Sequence, residues 1–306
     1  MRHIFILNPA AGPKKAEKKI LPRILEAVKA ENVDYEIHRT MNVGDGENFV
    51  KSRCLDHLGE SMRFYAVGGD GTLNEVANGV FGFPNAELAF IPAGTGNDFA
   101  RIFSDSRAFQ DIRKQLRGRA KPIDLIRYDD RVIVNMLNIG LDCAVVSEVD
   151  ILKERYFLRG PFAYMVGVGV VFGRNRGFHL KVTLEDGSVF DQEFTLVAVG
   201  NGAFCGGGFK GVPKAEIDDG LLDVSLINKV NRRTFASLIT KYHKGTHLES
   251  PLAEDIITYV KCRSISIEPR DTMQICVDGE VSCSGRLDIS IVPEAVRFSV
   301  PEGCEF

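Results

Sequence analysis

No C-x-x-C pair occurs among the seven cysteines, which fall at positions 54, 143, 205, 262, 276, 283 and 304. An odd, scattered set of thiols argues against a disulfide framework or a zinc knuckle, and for cysteines kept reduced in a cytosol. The six histidines, His3, His38, His57, His179, His243 and His247, show no ligand spacing, so no zinc site is assigned. Positive charge is not in excess. The formal net charge of −3 removes any global attraction to nucleic acid, and an anion would have to be met by a local site. The longest charge-free apolar run, Pro161 to Gly173, falls short of the ~20 residues a spanning helix needs. The run Ile4 to Leu7 passes straight into Asn8-Pro9, so no secretion signal is expected. Internal repeats and low-complexity tracts are missing too. These absences lead to the expectation of a cytoplasmic protein without a transmembrane segment.

What is present is the composition of a folded chain. With 306 residues, 44% hydrophobic and 26% charged, it has room for one large or two ordinary domains. Short β-like runs alternate with helix-like segments at the start. His3 to Leu7 precedes Lys14 to Ala30, and Val33 to His38 precedes a polar helix from about Glu47 to Leu58. Phe64 to Val67 precedes Leu73 to Phe81, and Leu88 to Pro92 precedes Asp98 to Phe103. This βα alternation predicts a parallel sheet covered by helices. Ala16, Ile20, Ile24 and Val28 form the apolar stripe of the first helix, and Pro22 should interrupt it unless a second segment starts there.

Beyond Asp124 the texture changes to strand-like runs separated by turn residues. Arg131 to Asn138, His179 to Leu184, Phe194 to Val199, Leu222 to Ile227, Ser264 to Glu268, Met273 to Val277 and Leu287 to Val292 all fit. Asp186-Gly187 signals a hairpin, and one helix is expected from Arg232 to Lys244. The expected organisation is an α/β domain over residues 1–124 and a β-rich substrate domain over 125–293, with the tail from about 294 to 306, including a strand at Val296 to Val300, returning to the first.

Two glycine-rich turns carry the strongest chemical signal. Gly68-Gly69-Asp70-Gly71-Thr72-Leu73-Asn74-Glu75 follows a buried-looking strand and opens a helix, and Pro92-Ala93-Gly94-Thr95-Gly96-Asn97-Asp98 does the same one unit later. Glycine permits a sharp turn and close approach of a ligand, and a helix N-terminus offers free N–H groups to phosphate oxygens. At the carboxyl ends of parallel strands, such turns predict a phosphate-binding crevice. Neither turn reads G-x-x-x-x-G-K-[ST] or G-x-G-x-x-G. Thr72-x-x-Glu75 and Thr95-x-x-Asp98 also have capping-box spacing, so helix capping stands beside ligand binding for those residues. Asp70, set between glycines, is better suited to holding Mg²⁺ or ordering the site.

Gly68-Gly69-Asp70-Gly71-Thr72 resembles the signature of the diacylglycerol kinase catalytic domain, shared by bacterial soluble lipid kinases and by sphingosine and ceramide kinases. The resemblance continues in order through Asn8-Pro9-Ala10-Ala11-Gly12, Thr40, Pro92-x-Gly94-Thr95-x-Asn97-Asp98-Phe99-Ala100-Arg101, Asp124, Asn138-x-Gly140, Asp218-Asp219-Gly220-Leu221-Leu222-Asp223 and Val277-Asp278-Gly279-Glu280. Gly-Gly-Asp-Gly-Thr alone is shared with NAD kinases; the whole series is more specific.

The resemblance implies an NAD-kinase/diacylglycerol-kinase-like α/β domain followed by an antiparallel β-sandwich. It also implies ATP and Mg²⁺ as cofactors. ATP contacts fall on Asn8, Pro9, Ala10, Ala11, Gly12, Thr40, Gly69, Asp70, Gly71, Thr72, Leu73, Asn74, Glu75 and Thr95. Glu280 is implied as general base on a lipid hydroxyl, Asp98 and Asp124 as members of the acidic network, and Asp70 as the phosphate and metal side. Glu216, Asp219 and Leu221 are implied ligands of a structural Mg²⁺, the outer two through backbone carbonyls. Pro13, directly after Gly12, departs from the family pattern. Tyr156 to Phe172 offers apolar side chains either to an acyl entrance or to an ordinary core. Diacylglycerol to phosphatidate at a membrane surface is the leading reaction, with transient membrane association; a homodimer is left open. A kinase of a soluble acceptor such as NAD, and a nucleotide-binding regulator without turnover, are the alternatives.

Overall fold

The computed structural model describes residues 1–12, 16–140, 143, 177–270 and 272–305, and the chain divides into two compact units, Met1–Leu125 with Pro293–Phe306, and Ile126–Val292. The first unit runs β1 (Arg2–Leu7), α1 (Ala16–Glu31), β2 (Tyr35–Arg39), α2 (Asp45–Asp56), β3 (Met62–Gly68), α3 (Asp70–Val80) and β4 (Ala86–Pro92). Two short 3-10 turns, Phe99–Ile102 and Ser106–Gln110, and α4 (Ile112–Leu116) lead into β5 (Arg119–Tyr128). Asp98 to Phe103 is thus a single tight turn and not a helix continuing the βα rhythm. Every residue of β3 and β4 is buried, as expected of parallel strands covered on both faces. β2, β1, β3 and β4 pair in that order, all parallel.

The stripe of α1 does what its period predicts. Ile24, Ala27 and Val28 are buried against Phe5, Leu7, Tyr65 and Ile91, each large apolar side chain contributing about 1.5–3 kcal/mol. The helix runs continuously through Pro22. Under β3 and β4, Arg63 and Glu87 form a buried ion pair at 2.8 Å, and the same guanidinium reaches the carbonyls of Gln115 and Leu116 at 3.2 and 3.3 Å. Those extra bonds satisfy the donors that burial would otherwise strand.

The second unit is antiparallel. It contains β6 (Arg131–Ile133), β7 (Met136–Gly140), β8 (Phe178–Leu184), β9 (Val189–Gly200) and β10 (Leu222–Asn228), then α5 (Arg232–Lys244), a short α6 (Ala253–Ile256), β11 (Ile257–Cys262), β12 (Ser264–Pro269), β13 (Met273–Val277), β14 (Glu280–Ser284) and β15 (Leu287–Val300). β14, β13, β7, β9, β8, β12 and β15 are neighbours in that order, with β10 bridging β9 and β11. Alternating inward residues such as Val197, Val199, Val224, Leu226, Ile265 and Ile267 make one core. The Asp186-Gly187 turn joins β8 to β9.

Two strand expectations are corrected. Arg131 to Asn138 is broken at Val134-Asn135, where side-chain bonds take over from the ladder. Leu287 to Val292 and Val296 to Val300 are one continuous strand, whose final residues belong to the first unit and pair parallel with β4 through Arg297 and Phe298. There Phe298 is fully buried among Phe99, Phe103 and Phe109, with ring centroids 5.1–6.2 Å apart. Pro13 and the Tyr156 to Phe172 segment lie outside the described residues.

Candidate active site

In the first unit the two glycine turns are packed against each other at the carboxyl ends of β3 and β4. Gly68 carbonyl accepts from Ala93 N–H at 2.7 Å and Gly94 N–H at 3.1 Å. A methyl group on Gly94 would lie 2.6 Å from Gly69 Cα, so this contact tolerates no side chain. The second turn is closed on itself by Asn97, left-handed at φ 51, whose side chain accepts from Gly94 N–H at 3.0 Å and donates to Gly94 carbonyl at 2.9 Å.

Asp70, the first residue of α3, lies against that second turn. Its carboxylate accepts from Phe99 N–H at 3.3 Å, and a methyl on Gly96 would meet its other oxygen at 3.0 Å. Burial pushes its carboxyl above the usual range, against the lowering effect of the Phe99, Asp98 and Asn97 amides. Asp98 is buried and 3.2 Å from the Arg101 guanidinium, which also donates to Gly96 carbonyl at 3.1 Å. The structure therefore brings Gly69, Asp70, Gly96 and Asp98 together.

The capping reading of Thr72 and Glu75 is overturned. Gly69 is the N-cap of α3 and makes no side-chain cap, which places Thr72 in the first turn. Thr72 Oγ1 accepts from Asn8 Nδ2 at 3.0 Å, and Glu75 Oε1 accepts from Gly44 N–H at 3.0 Å. Both side chains tie neighbouring loops to α3. Asn8 is held further by Ala10 N–H on its Oδ1 at 2.9 Å, and Ala11 N–H reaches Asn8 carbonyl at 3.2 Å, so residues 8–12 form a compact loop ending at Gly12 with φ 65. Pro9 and Ala10 are exposed. Thr40 N–H bonds Leu7 carbonyl at 2.9 Å, which sets the β2 end beside the β1 end. Gly71, Leu73 and Asn74 complete the first turn of α3, and Thr95 is exposed at the tip of the second turn. Asp124 is buried on β5 and accepts from Glu294 N–H at 2.8 Å, so its carboxylate fixes the returning strand within this unit.

The second unit presents Glu280, exposed, immediately after the Asp278-Gly279 turn that joins β13 to β14. Close by, the Tyr128 phenol is raised by burial and by the negative charges of Asp129, Asp278 and Glu280, against Arg131. Asp278 Oδ1 accepts from Met136 N–H at 2.9 Å. Asn201, which with Gly202 indicated only tight backbone passage in the sequence, is fully buried and donates to Val134 carbonyl at 3.0 Å.

Elsewhere in that unit, Asp219 Oδ1 accepts from Leu221 N–H at 3.0 Å and its Oδ2 lies 2.6 Å from Lys261 Nζ. Lys261 is also 3.5 Å from Asp223, which accepts from the Tyr259 hydroxyl at 2.5 Å. Glu216 is exposed. Among the described residues no three His, Cys, Asp or Glu side chains are grouped to hold a metal ion. Lys261 and Tyr259 were missed in the sequence, although the antiparallel register Asp223 to Lys261 and Ser225 to Tyr259 explains their arrival. No helix among the described residues is long and apolar enough to cross a membrane.

Comparison with known proteins agrees with this geometry. Residues 2–128 match the family "Diacylglycerol kinase catalytic domain", and residues 135–300 match "YegS C-terminal NAD kinase beta sandwich-like domain". The chain is 31% identical to a diacylglycerol kinase of Staphylococcus epidermidis over 282 residues, covering 90% of this chain and 84% of that protein. It is 28% identical to one of Staphylococcus carnosus over 278 residues, 90% and 87% of the two chains. A crystal structure of a diacylglycerol kinase from Bacillus anthracis superposes with a TM-score of 0.71 at 23% identity, covering 98% and 97% of the two chains, and shares the fold. Motif order, paired glycine turns and these likenesses converge: the chain belongs to the diacylglycerol kinase family of lipid kinases.

Proposed function

We propose that this protein is an ATP- and Mg²⁺-dependent kinase that transfers the γ-phosphoryl group to a lipid hydroxyl, with diacylglycerol to phosphatidate as its reaction. The observation that carries this reading is the seating of the Asp70 carboxylate between two interlocked glycine turns, at the uncapped start of α3. Free helical N–H groups suit phosphate oxygens, and a carboxylate beside them suits a hard cation. The donor set therefore fits a metal-bound nucleotide. Asn8 to Gly12, Thr40, Gly69 to Glu75 and Thr95 hold the nucleotide; Asp70 takes the metal side, and Asp98 and Asp124 order the turns and the strand behind them. When bound, Mg²⁺ neutralises phosphate charge. The second unit's Glu280 accepts the proton of the acceptor hydroxyl as general base.

A structural Mg²⁺ at Glu216, Asp219 and Leu221 fits less well, because the Asp219 carboxylate already pairs with the Lys261 ammonium. No step is derived through that ion. In this reading the enzyme visits a membrane surface to meet its lipid, and the exposed Glu280 is open to such an acceptor.

The test is transfer from γ-labelled ATP to a panel of lipids in mixed micelles, beside NAD and a lipid-free control. Labelled phosphatidate is the expected product. Label on NAD alone moves the protein to a soluble acceptor, and nucleotide binding with no label on any acceptor makes it a regulator without turnover.

A further inference from the structure

We infer that Asp278 is a positioning residue, whose carboxylate fixes the Gly279-Glu280 turn onto the start of β7 and takes no proton itself. The inference rests on the reading of Glu280 as base. The hairpin ladder places the Glu280 backbone opposite Val277 of β13, but β7 supports only the β13 side of that pair. β13 pairs with β7 at Ile275, Cys276 and Val277, opposite Ile139, Asn138 and Leu137, and there the register stops. The next two residues, Asp278 and Gly279, form the turn beyond that register, and the Glu280 that follows is exposed.

Asp278 closes this gap from both of its ends. Its Oδ1 accepts from Met136 N–H at 2.9 Å, and its own N–H donates to Met136 carbonyl at 3.2 Å. Asp278 and Gly279 have φ of 46° and 91°, the two positive values of the tight hairpin turn in which Asp or Asn precedes Gly. Asp tolerates the left-handed conformation better than most residues, and here its side chain also supplies the acceptor that pins the turn.

The segment on which the turn lands is held from the opposite side. Asn135 carbonyl accepts from Asn201 N–H at 2.8 Å and Gly202 N–H at 3.0 Å. Asn135 Nδ2 donates to Phe204 carbonyl at 2.8 Å, and Asn201 Nδ2 to Val134 carbonyl at 3.0 Å. Residues 134–136 are therefore a fixed anvil between the 201–204 loop and Asp278. This accounts for the interruption of the strand at Val134-Asn135: those backbone groups serve the clamp and not the sheet.

The requirement is for an acceptor oxygen and a left-handed backbone, which Asn supplies as well as Asp. The experiment compares wild type, Asp278→Ala and Asp278→Asn by steady-state kinetics and by hydrogen exchange at the Met136 amide. In Asp278→Ala the Met136 amide is expected to lose protection while kcat falls about 10- to 100-fold, the scale of a misplacement near 1 Å, with the KM for ATP unchanged. In Asp278→Asn both readouts return close to wild type. An Asp278→Asn enzyme as slow as Asp278→Ala overturns the inference, because the carboxylate would then act chemically. So does an unprotected Met136 amide with normal kcat. If wild type labels no acceptor, the lipid-kinase reading fails by that result alone, and the exchange pattern still decides whether Asp278 is the clamp.

Discussion

Gly69 and Gly94 touch backbone to backbone, across two turns 25 positions apart, with no room for a methyl group between them. Gly94→Ala must therefore push the second turn off the first, and with it the Asn97 closure and the amides around Asp70. The expected effect is a loss of nucleotide affinity, measured by calorimetric titration, with destabilisation of about 1–3 kcal/mol typical of overpacking.

Asp70 should trade stability for function. Burial raises its carboxyl in the folded protein above the unfolded value of 3.8. The folded state then binds the proton more tightly, so this group's contribution is present below pH 3.8 and is lost as pH rises through the folded value. At neutral pH its charge opposes folding. Asp70→Asn, which can still accept from Phe99 N–H, should melt higher than wild type at pH 7 and show a smaller difference toward pH 4. A lower melting temperature at pH 7, with Phe99 still bonded, would count against this account.

Glu280→Gln removes proton acceptance and little else. It should keep nucleotide affinity and lose turnover by roughly 10²–10⁴, the usual worth of a positioned base. Near-normal transfer to diacylglycerol by this variant would rule out the general-base role.

Lys261 neutralises the Asp219 and Asp223 carboxylates, the latter completely buried. Lys261→Met leaves that charge uncompensated. Since the lysine is itself partly exposed, a loss of about 1–3 kcal/mol is expected. Mg²⁺ added without nucleotide should restore part of it by mass action. Thermal melts with and without Mg²⁺ or chelator check both points, and a wild type that melts lower in chelator would assign the loop to a divalent ion after all.

His247 is buried beside the Tyr242 ring at 4.7 Å, and burial lowers its imidazole from 6.5 to about 4. The contribution of the neutral form is complete above pH 6.5 and disappears as pH falls toward 4. His247→Phe should flatten the acid limb of the stability curve in that window; an unchanged slope in urea titrations at pH 4.5 and 7 would refute it.

The parts of the site that were legible in the sequence are those whose meaning is local. A glycine turn between a buried strand and a helix announces itself within eight residues, and so does Asp278-Gly279 before Glu280. Contacts that span distant residues were not legible. Thr72 and Glu75 have capping spacing, yet bind Asn8 and the Gly44 amide, respectively 64 and 31 positions away. Asn135 and Asn201 meet only because β7 pairs with β9, and Lys261 meets Asp223 only through the β10–β11 register. The strand expected over Arg131 to Asn138 failed for the same reason: its apolar pattern is right, but its middle answers to partners elsewhere in the chain.

The first unit is written in two pieces, Met1–Leu125 and Pro293–Phe306, with Phe298 from the second piece at the centre of its aromatic cluster. On the ribosome this inverts the usual order of maturation. At about 5–20 residues per second the intervening 126–292 takes about 8–33 s to emerge. For that interval the nascent amino-terminal half must wait with an unfilled slot beside β4, exposing Phe99, Phe103 and Phe109, and the later half completes its sheet only when Leu287 to Ser290 reach β12, just ahead of the returning tail. A chaperone that shields aromatic surface would be needed early in synthesis, and a stop codon shortly before Val296 should yield a product that is degraded even though all the glycine turns and Glu280 have been made.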